Sequence, residues 1–349
     1  MKATCKKYIL HFNRPSGTSR GVMTEKETWF IVLEENGHFG IGECGLLRGL
    51  SVDDRPDYEE KLQWVCENIH MGKEQLWDAL MAFPSIQFGV EMAFLSLQSK
   101  TTFELFPSDF TNGKSDMLIN GLVWMGDPDF MKTQIEEKLA QGFTCIKLKI
   151  GAIDFEKELE LLRYIRQHFD ANTIEIRVDA NGAFISNEAL DKLHQLAVFE
   201  LHSIEQPIQI NNIDLMTDLC NTTPLPIALD EELIGVFALS DKEALLKKIK
   251  PQYIILKPSL VGGFKGTLEW ISIAKSLNIG WWITSALESN IGLNAIAQFT
   301  FTLQNPMPQG LGTGGLYTNN FDCPLEIEKG HIQYNTSKHW NVSNLGIKL

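Results

Sequence analysis

The sequence predicts an α/β protein in which a closed parallel barrel follows an α+β domain, and three observations carry that reading. Five short segments, CIKLKI, IEIRVDANG, HSIEQPI, PIALDEE and YIILKPS, each end on a charged residue. The charged ends Lys149, Asp179, Glu205, Asp230 and Lys257 stand 30, 26, 25 and 27 residues apart, close to the ~30 residues of one strand and its returning helix. Parity gives the second observation. Ile146, Leu148 and Ile150 share one strand face and leave Lys147 and Lys149 on the other, while Ile174, Ile176 and Val178 leave Glu175, Arg177 and Asp179 together. A parallel strand covered by helices is apolar toward those helices, so the polar face must look into a barrel. The third observation is position: each charge is the last inward residue of its segment, which puts all five around the C-terminal mouth where barrel enzymes keep their chemistry.

Taken in order, ETWFIVLE (27–34) and HFGIGEC (38–44) flank Asn36-Gly37. That dipeptide suits the primed turn of a tight hairpin, because both central positions want positive φ. RPSGTSRG (14–21) and GLLRGLS (45–51) read either as plain linkers or as segments that move over a ligand. From about Asp57 to Lys100, apolar residues recur at three- and four-residue intervals and predict helices. Residues 1–115 therefore read as an α+β domain.

MLINGLVWMG (117–126) is expected to be the first barrel strand, and Asp127-Pro128 opens a helix that stops near Gly142. GWWITS (280–285) and MPQGLGTGG (307–315) are the expected seventh and eighth strands, closing a barrel of residues 116–316. LEIEKGHIQYN (325–335) reads as a hairpin about Lys329-Gly330, and the tail 317–349 is expected to pack back on the first domain.

With 349 residues and 44% hydrophobic content the chain can bury two domain cores. A net charge of −13 argues against a nucleic-acid or anionic-membrane surface. The six cysteines include no C-x-x-C pair, which suggests reduced thiols. No signal peptide and no membrane-spanning run of ~20 apolar residues is visible. The expectation is a cytoplasmic protein acting on a small molecule, with self-association left open.

Asp179, Glu205 and Asp230, from three consecutive units, offer hard oxygen ligands that suit Mg²⁺, or Mn²⁺ in its place, better than Zn²⁺. Each acid alone could equally cap a loop or helix; their joint placement weakens that reading. Lys147 and Lys149 are expected to face the metal from one side and Lys257 from the other, leaving a cationic site for a dianionic substrate. Crowded cations lower a lysine's pKa, so Lys149 is the expected base. Lys257 has a rival reading as a Schiff-base lysine, which would leave the acids without a purpose.

K-x-K followed by D, E, D and K on successive strands resembles the muconate-lactonizing subgroup of the enolase superfamily. The resemblance covers essentially the whole chain and implies a modified (β/α)7β TIM-type barrel with an α+β capping domain. It also implies a shared partial reaction, in which a lysine removes the proton α to a carboxylate and Mg²⁺ holds the enediolate. GTSRG (17–21), RVDANG (177–182), LDEE (229–232), LKPSLVGG (256–263), TSALESNIG (284–292) and GLGTGGLY (310–317) resemble a dehydrating branch. Its substrate would be a succinyl-bearing hydroxycyclohexadiene carboxylate.

On that resemblance Lys149 takes and returns the proton, Lys257 stabilises the enolate across the ring, and Lys147, Arg20, Asn181 and Ser285 contact substrate. Glu231 and Arg177 would support these groups from behind, although Glu231 could equally be surface charge. Ser285 and the 17–21 loop could equally serve packing and turn chemistry. N-succinylamino acid racemisation and dipeptide epimerisation are the alternatives, the latter disfavoured by GTGGLYTNN where Asp-Xaa-Asp would be expected. A non-catalytic metal-binding barrel is the remaining one.

Overall fold

The structure, a computed structural model, describes residues 1–18 and 21–346. It opens with an antiparallel sheet of β1 (Lys2–Thr18), β2 (Gly21–Glu35) and β3 (His38–Cys44), hydrogen-bonded in that order. The Asn36-Gly37 turn forms as expected, with φ of 52° and 79° and Glu35 paired to His38. In the 14–21 segment, of which residues 19 and 20 lie outside the described residues, Ser16 pairs with Met23 and Gly17 with Val22 after a shift in register beyond His11, and Gly17 also bridges to Met125. Residues of that segment thus extend a β-ribbon toward the barrel.

The helical stretch resolves into α1 (Tyr58–Glu67), α2 (Gly72–Ala79) and α3 (Pro84–Gln98). α3 lies directly on β3, and the strand's Gly-Ile-Gly permits it: a Cβ on Gly42 would stand 1.9 Å from the Gly89 oxygen, and one on Gly40 2.3 Å from that of Ala93. α3 is buried along nearly its whole length because its other side meets the barrel helices.

The expected first barrel strand is split. β4 (Met117–Leu118) pairs outside the barrel, and only β5 (Gly121–Val123) joins it. The switch falls at Ile119 and Asn120, whose N–H groups donate to Gly330 and Gln309 respectively. Then follow α4 (Pro128–Ala140), β6 (Cys145–Lys149), α5 (Phe155–His168), β7 (Glu175–Asp179), α6 (Ala189–Ala197), β8 (Ser203–Glu205) and α7 (Ile213–Thr222). β9 (Ile227–Leu229), α8 (Leu239–Ile249), β10 (Tyr253–Leu256), α9 (Pro258–Val261), α10 (Gly263–Ser276), β11 (Gly280–Ile283) and α11 (Asn290–Thr302) complete the alternation.

The seven strands β5 to β11 form one parallel sheet in sequence order. Its closure differs from the expectation of a full eighth strand over 307–315. Gln309 bridges Ile119 and Gly310 bridges Thr284, each in parallel, and the chain then turns away. Gly310 packs against Thr284 so closely that a Cβ would lie 2.3 Å from its Oγ1.

The hairpin of β12 (Leu325–Glu328) and β13 (His331–Tyr334) turns on Lys329 and Gly330, as expected, and pairs with β4. Residues 316–319 instead run along β1, where Asn319 accepts from His11 N and donates to Ile9 O. All six cysteines are free, and no described helix is long and apolar enough to cross a membrane.

Two buried carboxylates of the first ~100 residues dock that part on the barrel. Glu91 of α3 accepts from the N–H groups of Phe264 (2.5 Å) and Lys265 (3.2 Å) at the start of α10. Glu43 of β3 accepts from Ser289 N and Gly292 N, both at 2.9 Å, at the start of α11. Helix N-termini carry unsatisfied N–H groups and a positive dipole end, so a carboxylate is the fitting partner.

Candidate active site

β6, β7 and β8 end in register: Lys149 lies beside Asp179, and Asp179 beside Glu205. Asp230 and Lys257 are the first residues past β9 and β10. The five charges and Lys147 are all buried at the barrel mouth. Lys147 Nζ stands 2.8 Å from Asp179 Oδ2 and also binds Glu205, while Lys149 Nζ stands 2.6 Å from Asp179 Oδ2. Lys257 binds Asp230 and approaches Glu205 Oε1 to 4.0 Å. The spacing and parity of the sequence therefore converge on one cluster.

Burial disfavours charge on Lys147 and on Lys257, yet the adjacent carboxylates win and raise both pKa values. Each of these two ammonium groups has a carboxylate beside it. Among the acids, burial works against ionisation of Asp179, but Lys147 and Lys149 hold its carboxyl well below the usual range. Burial and the like charges of Asp179 and Asp230 push Glu205 well above it.

The donor set fits a hard divalent cation in kind: three buried carboxylates, with Glu205 Oε1 buried and lacking a hydrogen-bond partner. Among the described residues no three Asp, Glu, His or Cys side chains are gathered as they stand to hold an ion. The lysine ammonium groups are bound to the same carboxylates.

Above the cluster lies a cavity of about 390 Å³ reached by Lys147, Lys149 and Lys257 but by none of the three acids. Trp124, Leu122 and Leu287 give it apolar walls, and Met23, Leu47 and Leu50 close it from the β1–β3 side. The 45–51 connection thus covers the cavity. Arg48, Asn120, Thr284, Ser285 and Thr313 add polar groups to the wall.

The remaining sequence-predicted residues divide. Ser285 lines the cavity. Asn181, at φ 43°, accepts from Lys149 Nζ at 2.9 Å and donates to Glu231 Oε1 at 3.0 Å, so it joins Lys149 to Glu231. Glu231 adds negative charge near Lys257, whose ion-pair partners are Asp230 and Glu205. Arg177 lies one inward layer below Asp179, bound to Glu175 and the Pro308 carbonyl, with its guanidinium 4.1 Å from the Trp282 ring centroid. It braces the barrel interior. Arg20 lies outside the described residues.

Sequence reasoning missed Gln206, Asn120 and Thr313. Gln206 accepts from the N–H groups of Asp230 and Glu232 and donates to Glu232 Oε2, tying the ends of β8 and β9. Its place directly after Glu205 was the available signal. Asn120 and Thr313 line the cavity, and among the described residues Asn120 Oδ1 has no hydrogen-bond partner. They sit where the first and eighth strands are interrupted, which no periodicity marks.

A mouth of lysines and carboxylates on a (β/α)7β barrel, under an N-terminal cap, defines a member of the enolase superfamily. A family model described as Enolase C-terminal domain-like matches residues 131–338, and one described as MenC, N-terminal domain, matches residues 2–97. The chain is 46% identical to the o-succinylbenzoate synthase of Desulfotalea psychrophila, over 95% of this chain and 98% of that one. The crystal structure of MenC from that organism superposes with a TM-score of 0.85 at 43% identity, covering 95% and 99% of the two chains. Within the superfamily, the chain belongs to the o-succinylbenzoate synthase family. The fold is shared further, with a TM-score of 0.81 at 18% identity to a dipeptide epimerase from Enterococcus faecalis complexed with Mg and a dipeptide, over 95% and 96% of the chains.

Proposed function

We propose that Lys149 carries the proton chemistry of the family's reaction. That reaction, a lyase step of menaquinone biosynthesis, is dehydration of 2-succinyl-6-hydroxy-2,4-cyclohexadiene-1-carboxylate to 2-succinylbenzoate. The observation that supports the assignment is the separation of charges: lysines reach the cavity, and the acids lie behind them. Lys149 as the amine takes the proton α to the ring carboxylate and becomes an ammonium. It then returns that proton to the departing hydroxyl on the same face, so water leaves and the new double bond completes the aromatic ring. One lysine can do both steps because the elimination is syn.

Lys257 supplies fixed positive charge to the ring as negative charge spreads over it, and Lys147 approaches the ring carboxylate. Asn181 orients the Lys149 ammonium through its Oδ1. Asp179, Glu205 and Asp230 would hold Mg²⁺, which when bound offsets the negative charge that the carboxylate gains as the α-proton leaves. A magnesium-bearing epimerase of the same fold supports that choice of ion. Ser285 and Arg20 belong to the substrate side of this reading, which also places the enzyme in the cytoplasm with a small dicarboxylate as its partner.

Residues 1–115 act as the cap and 116–316 as the catalytic barrel. Because Lys149 and Lys257 reach one cavity, racemisation of N-succinylamino acids is a second reading. The test is turnover of the cyclohexadiene substrate, followed by the absorbance of the aromatic product, beside a racemisation assay. Racemisation without dehydration would reverse the assignment.

A further inference from the structure

Behind the cavity wall, away from the metal-holding acids, lies a second buried group of polar residues that the reaction as described does not use. Its centre is Glu288, which is fully buried just past β11. One oxygen accepts from Ser259 Oγ at 2.5 Å and the other from Ser285 Oγ at 2.6 Å. Ser259 is two residues past Lys257, in α9. Ser285 lines the cavity and itself accepts from Leu287 N at 3.1 Å and from Thr313 Oγ1 at 2.9 Å.

The proton count decides what Ser285 can do. A hydroxyl has one proton and two lone pairs. The proton goes to Glu288 and both lone pairs are taken, so Ser285 shapes the wall without a proton to offer a substrate. Thr313, also in the wall, spends its proton on Ser285 in turn.

Lys26 of β2 is buried as well, and among the described residues its Nζ has no hydrogen-bond partner. Burial lowers its pKa, and the charges of Glu43 and Glu288 oppose that shift. Glu43 is meanwhile committed to Thr28 Oγ1, Ser289 and Gly292.

We propose that Glu288 is a positioning residue for the dehydration. It fixes the spacing between the Lys257 end of β10 and the Ser285–Thr313 wall beyond β11. This rests on the reading that the three-lysine cavity is the reaction site. Glu288 reaches the reaction through Ser259 and Ser285. Loss of such support lets these groups shift, and a misplacement of about 1 Å costs up to about 100-fold in rate.

The experiment compares steady-state dehydration kinetics of Glu288→Ala, Glu288→Gln and Ser259→Ala with the unmodified enzyme, all loaded with Mg²⁺, with Lys149→Ala alongside. Melting curves and Mg²⁺ affinity are measured on each. The expected result is a fall in kcat of about 10- to 100-fold in Glu288→Ala with a smaller change in KM and unaltered Mg²⁺ affinity. Glu288→Gln, which keeps one acceptor oxygen, should recover part of kcat. Ser259→Ala should lower kcat several-fold while Ser285 keeps its bond. If Glu288→Ala does not fold, the Ser259→Ala result decides. Unchanged kcat in Ser259→Ala, or kcat losses that follow only the folded fraction, overturns the proposal. Turnover surviving in Lys149→Ala would instead sink the underlying site assignment, so the two failures are distinguishable.

Discussion

Lys149 and Lys257 should be inequivalent, and their replacement by alanine and arginine tests the dehydration mechanism directly. Lys149 Nζ stands 2.6 Å from Asp179 and 2.9 Å from Asn181, so in the proposed mechanism Lys149→Ala removes the proton acceptor and leaves the three carboxylates proposed to hold the metal in place. A positioned acid or base contributes about 10²- to 10⁴-fold per step. Lys149 serves two steps, so kcat should fall at least about 10⁴-fold, or ~5.4 kcal/mol at 1.36 kcal/mol per tenfold. Arginine at 149 should be as inactive as alanine, because a guanidinium does not give up its proton.

Lys257 contributes charge, so Lys257→Arg should keep more activity than Lys149→Arg, with a loss of about 10- to 100-fold from the altered geometry. The assay is product absorbance, joined to deuterium exchange at the α-carbon of an unreactive N-succinylamino acid, started from each enantiomer. Equal exchange of opposite enantiomers by the two lysines would refute the inequivalence and favour a two-base racemase.

Three further outcomes are expected. Exhaustive chelation should abolish turnover and Mg²⁺ or Mn²⁺ should restore it; full activity after chelation would remove the role given to Asp179, Glu205 and Asp230. Glu43→Ala leaves the donors Thr28 Oγ1, Ser289 N, Ser289 Oγ and Gly292 N without their acceptor in a buried site and should cost about 3–5 kcal/mol in denaturant unfolding. A cost under about 1 kcal/mol would show that the contact does not hold cap to barrel. Burial raises the Glu91 carboxyl to about 7 from an ordinary 4.5, against the pull of the Phe264 and Lys265 N–H groups. The folded state therefore favours the protonated form, and the stability this group contributes is present below pH ~4.5 and lost as pH rises through about 7. Glu91→Gln should flatten that part of the stability profile, and a difference between the two proteins that does not vary with pH would refute it.

The barrel was legible because its strands satisfy two constraints at once. Ile146, Leu148, Ile176 and Val178 had to face helices, which forced Lys147, Lys149 and Asp179 inward, and the near-constant spacing put the strand ends at one height. The Asn36-Gly37 and Lys329-Gly330 turns were legible from local chemistry alone. The interruptions of the first and eighth strands were not. Each depends on a partner distant in sequence: Ile119 gives its N–H to Gly330 and Asn120 to Gln309, and no run of residues announces a change of partner. For the same reason the bonds of Asn181 are not legible in the sequence. The residue is visible, but its bonds to Lys149 and Glu231 exist only once the ends of β6, β7 and β9 are brought together in the sheet.

The cap is held at the places where its position matters to the chemistry. Glu91 takes N–H groups at the start of α10 and Glu43 at the start of α11, and these helices follow the strand ends that carry Lys257 and Ser285. A carboxylate latched to a loop tip could swing without disturbing the barrel. One latched to a helix N-terminus cannot, because the N–H groups it accepts from are fixed by the helix and the helix by its packed face. Leu47 and Leu50, which close the cavity, lie in the connection directly after β3, the strand that carries Glu43. The wall above the substrate and the lysine below it are therefore referred to the same two helix ends. Substitutions at Glu43 or Glu91 should alter kcat as well as stability although neither residue lines the cavity.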